Sequence, residues 1–224
     1  MKIFLSKFFA IILLVLLCST VFGCKDNDRE YKANIYENDV ALLSLFSYDG
    51  KSESKYWGLS SLGHAFLSLD NISDETITIG NRDILPSETI AFGTWSIWEH
   101  FGVWYNIESN YISKHNKYDG RVSITISLNQ EELDRLIEYT ISNDKWNPIR
   151  NCSCFALNLW NEVAEESEKL NKPLIYTPSF LCKEIYKFGT YETNKSIITS
   201  EKSGYFTSPK DVFFEIEGDN YAEV

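Results

Sequence analysis

Basic residues are scarce in this chain. Lysine and arginine together number 21 against 32 aspartates and glutamates, a formal net charge of −11, and no basic stripe offsets the excess locally. Such a surface repels polyanions and anionic headgroups, so nucleic acid is excluded as a partner. Long apolar runs are also lacking. The run from Phe8 to Leu17 is too short to be a comfortable membrane span. There is no internal repeat and no low-complexity tract, which excludes a repeat array. Histidines number only three, so any chemistry that needs an imidazole must draw on His64, His100 or His115.

What is present begins with an address. Residues 1–23 carry a basic start (Lys2, Lys7), the apolar run, and a junction Val21-Phe22-Gly23-Cys24, the layout of an export signal. The junction resembles a bacterial lipobox, which implies a lipid on Cys24. Its departure from that pattern is Phe22, bulky where small residues are usual. Cleavage would remove Lys2 and Lys7 and no acid, taking the net charge from −11 to −13. Residues 24–38 continue after Cys24 with Lys25-Asp26-Asn27-Asp28-Arg29-Glu30, too polar to pack, and read as a tether. A lysine and acids directly after such a cysteine resemble the export tag of surface lipoproteins in the Bacteroidetes group. The expected location is therefore the cell envelope, anchored to the outer membrane and facing outward. About 200 residues remain, enough for one core, with the domain proper at 39–190 and a C-terminal extension at 191–224.

Within that domain the pattern is β first and α later. Val40 to Phe46, Gly63 to Leu69, Thr76 to Gly80, Ile90 to Thr94, Val103 to Ile107 and Arg121 to Leu128 read as strands, the last with clean period-two alternation. Gly63–Leu69 and Thr76–Gly80 are expected to pair as an antiparallel hairpin. Helices follow at Glu131–Ile141, from Cys152 onward, and at Pro178–Phe188. The fold class is α+β, an antiparallel sheet or partly closed barrel packed against helices.

The chemistry gathers on Asn151-Cys152-Ser153-Cys154-Phe155. Apolar residues at Phe155, Ala156, Leu159, Trp160, Val163 and Ala164 make a one-sided helical stripe. Asn151 is a good N-cap, and Pro148 forces an extended approach, so the helix starts near Cys152. A thiol at that position meets the positive end of the helix dipole, which favours the nucleophilic thiolate. Cys154 lies about 200° around the helix, so its sulfur points away from that of Cys152. This separation argues against a zinc site on Cys152, Cys154 and Cys182, and no metal or cofactor is expected. Cys154 and Cys182 are open to two readings, free thiols or a disulfide.

A thiol nucleophile needs a base and a group to orient that base. His64 lies on an apolar strand, where an imidazole must find a partner or cost free energy. His100 and His115 sit in loop contexts and read as bystanders. In the expected hairpin, residues whose numbers sum to about 145 face each other, which puts Asn81 opposite His64, with Thr78 as fallback. The aromatic cluster Trp95, Trp98, Phe101, Trp104, Tyr105 and Tyr111 reads as core and loop packing first, and as a substrate cleft second.

Gly63-His64-Ala65-Phe66 on a strand, followed far later by Asn-Cys-x-x-Phe opening a helix, resembles the permuted branch of the NlpC-like papain superfamily. Lecithin retinol acyltransferase-like and YiiX-like proteins belong to that branch. The resemblance spans roughly residues 40–190 and implies a circularly permuted papain-like fold, with Cys152 as nucleophile, His64 as base and Asn81 as orienting group. Asn81 departs from the second histidine or acid that many such proteins use there. Three function classes follow. They are a thiol hydrolase cleaving an amide bond in cell-wall peptides, a thiol acyltransferase or lipase on membrane lipid, and a non-catalytic surface-binding lipoprotein. The first is the expectation.

Overall fold

The computed structural model describes residues 34–51, 63–97, 99–200 and 202–208. The export signal and Cys24 lie outside the described residues, as does the stretch Val212 to Ile216, whose sequence gives a weak strand signal. In chain order the elements are β1 (Asp39–Tyr48), β2 (His64–Asn71), β3 (Ile77–Ile79), β4 (Arg82–Ile84), β5 (Thr89–Ile97) and β6 (His100–Tyr105). Then come α1 (Ile107–His115), β7 (Val122–Asn129), α2 (Gln130–Ser142), α3 (Cys152–Val163), α4 (Pro178–Lys187), β8 (Glu192–Thr193) and β9 (Gly204–Tyr205).

Seven strands form one antiparallel sheet in the order β8-β7-β1-β2-β5-β6-β9. The alternation along each strand decides what each face meets. Leu43 and Leu45 of β1, Ala65, Leu67 and Leu69 of β2, and Val122, Ile124, Ile126 and Leu128 of β7 belong to the large apolar core. Against that face pack α2, α3 and α4. Helix α3 contributes Phe155, Ala156, Leu157, Leu159, Trp160 and Val163, all buried; each large apolar side chain so buried is worth about 1.5–3 kcal/mol. The opposite face is smaller and partly polar. It holds Phe46, Phe66, Ala91 and Ile197, and a hydroxyl pair, Ser44 with Thr125 at 2.8 Å, on which the Lys195 ammonium donates. Helix α1 lies along β5.

The expected hairpin does not form. Leu69 pairs with Leu43 of β1 and Ile90 of β5, and the register partner of His64 is Tyr48. The Thr76–Gly80 run instead turns on itself: β3 pairs with β4 in a separate two-stranded sheet, Ile77 opposite Ile84 and Ile79 opposite Arg82. The reason is local. Gly80-Asn81 is a two-residue hairpin turn, with Gly80 at a φ of 57°, and such a turn closes its own flanks. The Asn71 side chain secures the preceding bend by donating to the carbonyls of Glu75 and Ile84 and accepting from the Ser73 N–H.

The second departure is at Val103–Ile107. The strand ends at Tyr105, Asn106 adopts a left-handed conformation (φ 60°), and α1 begins at Ile107. Asparagine tolerates that conformation better than most residues. Here it also rivets the junction, accepting from the Ala91 N–H and donating to the Lys202 carbonyl.

Candidate active site

Three elements converge at one end of the sheet. Strand β2 brings His64 as its first residue, α3 brings Cys152 as its first residue, and α1 brings Glu108 in its first turn. The His64 Nε2 lies 2.9 Å from the Glu108 Oε1, and the thiol of Cys152 lies close enough to the imidazole for each to shift the other's pKa. With Nε2 held by the carboxylate, Nδ1 is the nitrogen left for sulfur. His64 is 8 % exposed and Glu108 0 %, whereas Cys152 is half-buried.

The electrostatics of the pair follow from this. Burial alone would push the His64 pKa down, but the Cys152 sulfur and the Glu108 carboxylate outweigh it and raise it to about 10. Burial pushes the Cys152 thiol up, yet His64, the Ala65 backbone N–H and the nearby Ser153 hydroxyl bring it below the ordinary thiol value. That hydroxyl is buried and has no hydrogen-bond partner among the described residues. Cys154, one half-turn on, goes the other way: burial raises its pKa, and the Asn158 amide, Arg150 and Lys172 only partly offset this. Both thiols occupy the first turn of one helix, so its dipole does not separate them. The imidazole does.

Asn151 starts α3 as expected. Its Oδ1 accepts from the Cys154 N–H at 3.0 Å and its Nδ2 donates to the Tyr176 carbonyl at 2.9 Å. The Phe155 N–H goes to the Asn151 carbonyl, which leaves the N–H groups of Cys152 and Ser153 as the first-turn donors that neither cap nor helix takes. Loss of this cap has a definite cost: Asn151→Ala should lower unfolding stability by about 1 kcal/mol. The check is the denaturant midpoint, with an unchanged slope showing that the fold itself persists.

Asn81 and Thr78 do not reach this site. The Asn81 Nδ2 donates to the Ser208 carbonyl at 2.6 Å, and the Thr78 hydroxyl donates to Asp83 at 2.7 Å. Both belong to the β3–β4 unit, so the orienting role assigned from hairpin register falls. Glu108 stands on the imidazole instead. Nothing periodic marked it, because α1 buries Ile107, Glu108, Ser109 and Asn110, a mostly polar face without an apolar stripe. The one available signal was an acid in the first turn after an asparagine, at the end of a strand. Room for its carboxylate depends on Gly93 of β5: a Cβ there would stand 2.6 Å from the Glu108 Oε1 and 3.1 Å from the Phe66 Cβ.

The other titratable groups are accounted for separately. His100 pairs with Asp144 at 2.6 Å under the Tyr205 ring. Burial would raise the Asp144 pKa, but His100, the Thr207 hydroxyl and the Val103 N–H hold it below the usual carboxylate value. His115 is exposed at the end of α1. Cys154 and Cys182 are free thiols. Among the described residues no group of three or more histidine, cysteine or acidic side chains could hold a metal ion, and no helix is long and apolar enough to cross a membrane.

The aromatic cluster divides. Trp95 lies 4.4 Å from the His64 ring and 5.9 Å from Tyr111, and Tyr118 lies 5.7 Å from His64. Trp104 and Tyr105 pack in the interior beside Tyr205 and Phe206, Phe101 is exposed, and Trp98 lies outside the described residues. No family model, curated protein or solved structure matches the chain.

Proposed function

We propose that this protein is an exported thiol hydrolase of permuted papain-like type, tethered to the envelope by a lipid on Cys24, and that it cleaves an amide bond in cell-wall peptides. The observation that carries the reading is the contact of one half-buried thiol with one buried imidazole, itself held by a fully buried carboxylate. The acid that meets the imidazole comes from a helix, Glu108 of α1, and not from the strand position of Asn81.

The chemistry runs as acyl transfer. The Cys152 thiolate forms a bond to the carbonyl carbon, and the oxygen takes the negative charge beside the Cys152 N–H. Collapse expels the amine, which takes its proton from the His64 imidazolium. Water then attacks the thioester, gives its proton to His64, and releases the acid and the thiol. Glu108 accepts from the imidazole throughout and stays buried.

One observation supports a second substrate: the rings of Trp95 and Tyr118 lie beside the imidazole, which suits the acyl chain of a lipid ester. The test labels the full-length protein with a thiol-directed activity probe and maps the site by fragmentation, then incubates it with purified wall and lipid fractions. Labelling at Cys152 with release of amino groups from wall supports the hydrolase, and release of fatty acid supports the lipase. Labelling of Cys152 no faster than a free thiol, with neither product, overturns both and leaves a binding protein.

A further inference from the structure

Glu108 is held in an asymmetric way. Its Oε1 accepts two hydrogen bonds, from the His64 Nε2 at 2.9 Å and from the indole N–H of Trp95 at 2.7 Å. Its Oε2 is buried and has no partner among the described residues. A carboxylate with both donors on one oxygen takes its hydrogen-bonded orientation from those two donors, since no donor on the second oxygen adds to them. Gly93 beneath it adds no Cβ to wedge it in place.

Trp95 also touches the base itself. Its ring centroid lies 4.4 Å from that of His64 with the planes 42° apart, within the range at which a ring face attracts a cation. It comes from β5, on the far side of β2 from the Tyr48 that faces His64 in β1, and is only half-buried. A packed tryptophan usually finds a partner for its one N–H, and here that partner is the same oxygen that serves the imidazole.

We propose that Trp95 is a positioning residue of this site: its indole N–H fixes the Glu108 carboxylate while its ring face holds the His64 imidazole, keeping acid and base aligned on Cys152. The inference rests on the thiol-hydrolase reading above. Without the N–H, the carboxylate loses one of its two donors and swings away from His64. That weakens the imidazolium, and the thiolate then needs a higher pH to form.

The experiment measures the rate of Cys152 carboxamidomethylation by iodoacetamide from pH 4 to 10, with the modified residue located by fragmentation. It uses wild type, Trp95→Phe, Trp95→Leu, Glu108→Gln and the Glu108→Gln/Trp95→Phe double variant. Trp95→Phe, which keeps a ring and loses the donor, should move the acid limb up by about one pH unit, so that alkylation slows about tenfold at any pH on the wild-type acid limb. Trp95→Leu should move it further. The double variant should match Glu108→Gln, because Trp95 acts through that carboxylate. An unmoved limb in folded Trp95→Phe, or full additivity in the double variant, overturns the positioning role and leaves the hydrolase reading standing. A wild-type limb at the position of a free thiol overturns the hydrolase reading and this inference together.

Discussion

Cys152→Ser should reduce turnover of the substrate identified by probe and digestion by at least about 10⁴-fold, and His64→Ala should cost a comparable factor. The two losses should not add in the double variant, because sulfur and imidazole act as one unit. The reason is the ion pair: His64 lowers the pKa of Cys152 while Cys152 and Glu108 raise that of His64 to about 10. Since the thiol pKa is lowered, thiolate persists on the acid side of its ordinary value. Since the imidazole pKa is raised, the proton needed by the leaving amine is retained until the pH passes about 10. The kcat/KM profile of the wild type should therefore be a plateau, rising below the value of about 8.5 typical of a free thiol and falling on the alkaline side. The two limbs belong to the coupled pair rather than to either residue. In His64→Ala the thiol loses its cation, and Cys152 alkylation should shift to the range of an ordinary or buried thiol. Unaltered turnover in Cys152→Ser, or an unshifted alkylation profile in His64→Ala, would remove the proposed nucleophile or its partner.

The second large effect concerns Glu108. A glutamine is close in shape, and its carbonyl can accept from both His64 and Trp95 while the amide nitrogen occupies the site of the unpartnered Oε2. Geometry is then largely retained and the negative charge is lost. An opposite charge in contact shifts a pKa by about 1–3 units, so the alkaline limb of the profile should move down from about 10 by that amount. Turnover in the neutral range should fall about 10²-fold. Glu108→Ala should lose more, since it also leaves a hole beside the imidazole and strips the Trp95 N–H of its acceptor. Glu108→Asp should fall short of wild type because the shorter carboxylate does not span to β2 from α1. A pH profile of Glu108→Gln identical to that of wild type would show that the carboxylate does not act on His64.

These expectations trace back to features of very different legibility. The Cys152 helix was readable because cap, stripe and thiol lie within one short stretch, and every part of that signal is local: Asn151 does cap α3, and Phe155, Ala156, Leu159, Trp160 and Val163 are buried on it. The alternation from Arg121 to Leu128 was readable for the same reason, and those apolar residues do face the core. His64 stood out because a lone imidazole on an apolar strand demands a partner. Its partner was misassigned because strand pairing is not local. A run of alternating residues fits any neighbour of matching face, and here the Gly80-Asn81 turn drew β3 to β4 and away from β2.

The chain alone thus determined a mixed α+β domain, a thiol at the start of an amphipathic helix and an imidazole on a strand, because each is written in residues a few positions apart. Tertiary structure decided that β2 lies between β1 and β5, that α1 exists with a polar buried face, and that Glu108 and Trp95 meet at His64. Those meetings join residues 31 and 44 positions apart, on elements whose order in the sheet is set by the competition of whole strands for partners. No periodicity, cap or motif within a window of residues records the outcome of that competition.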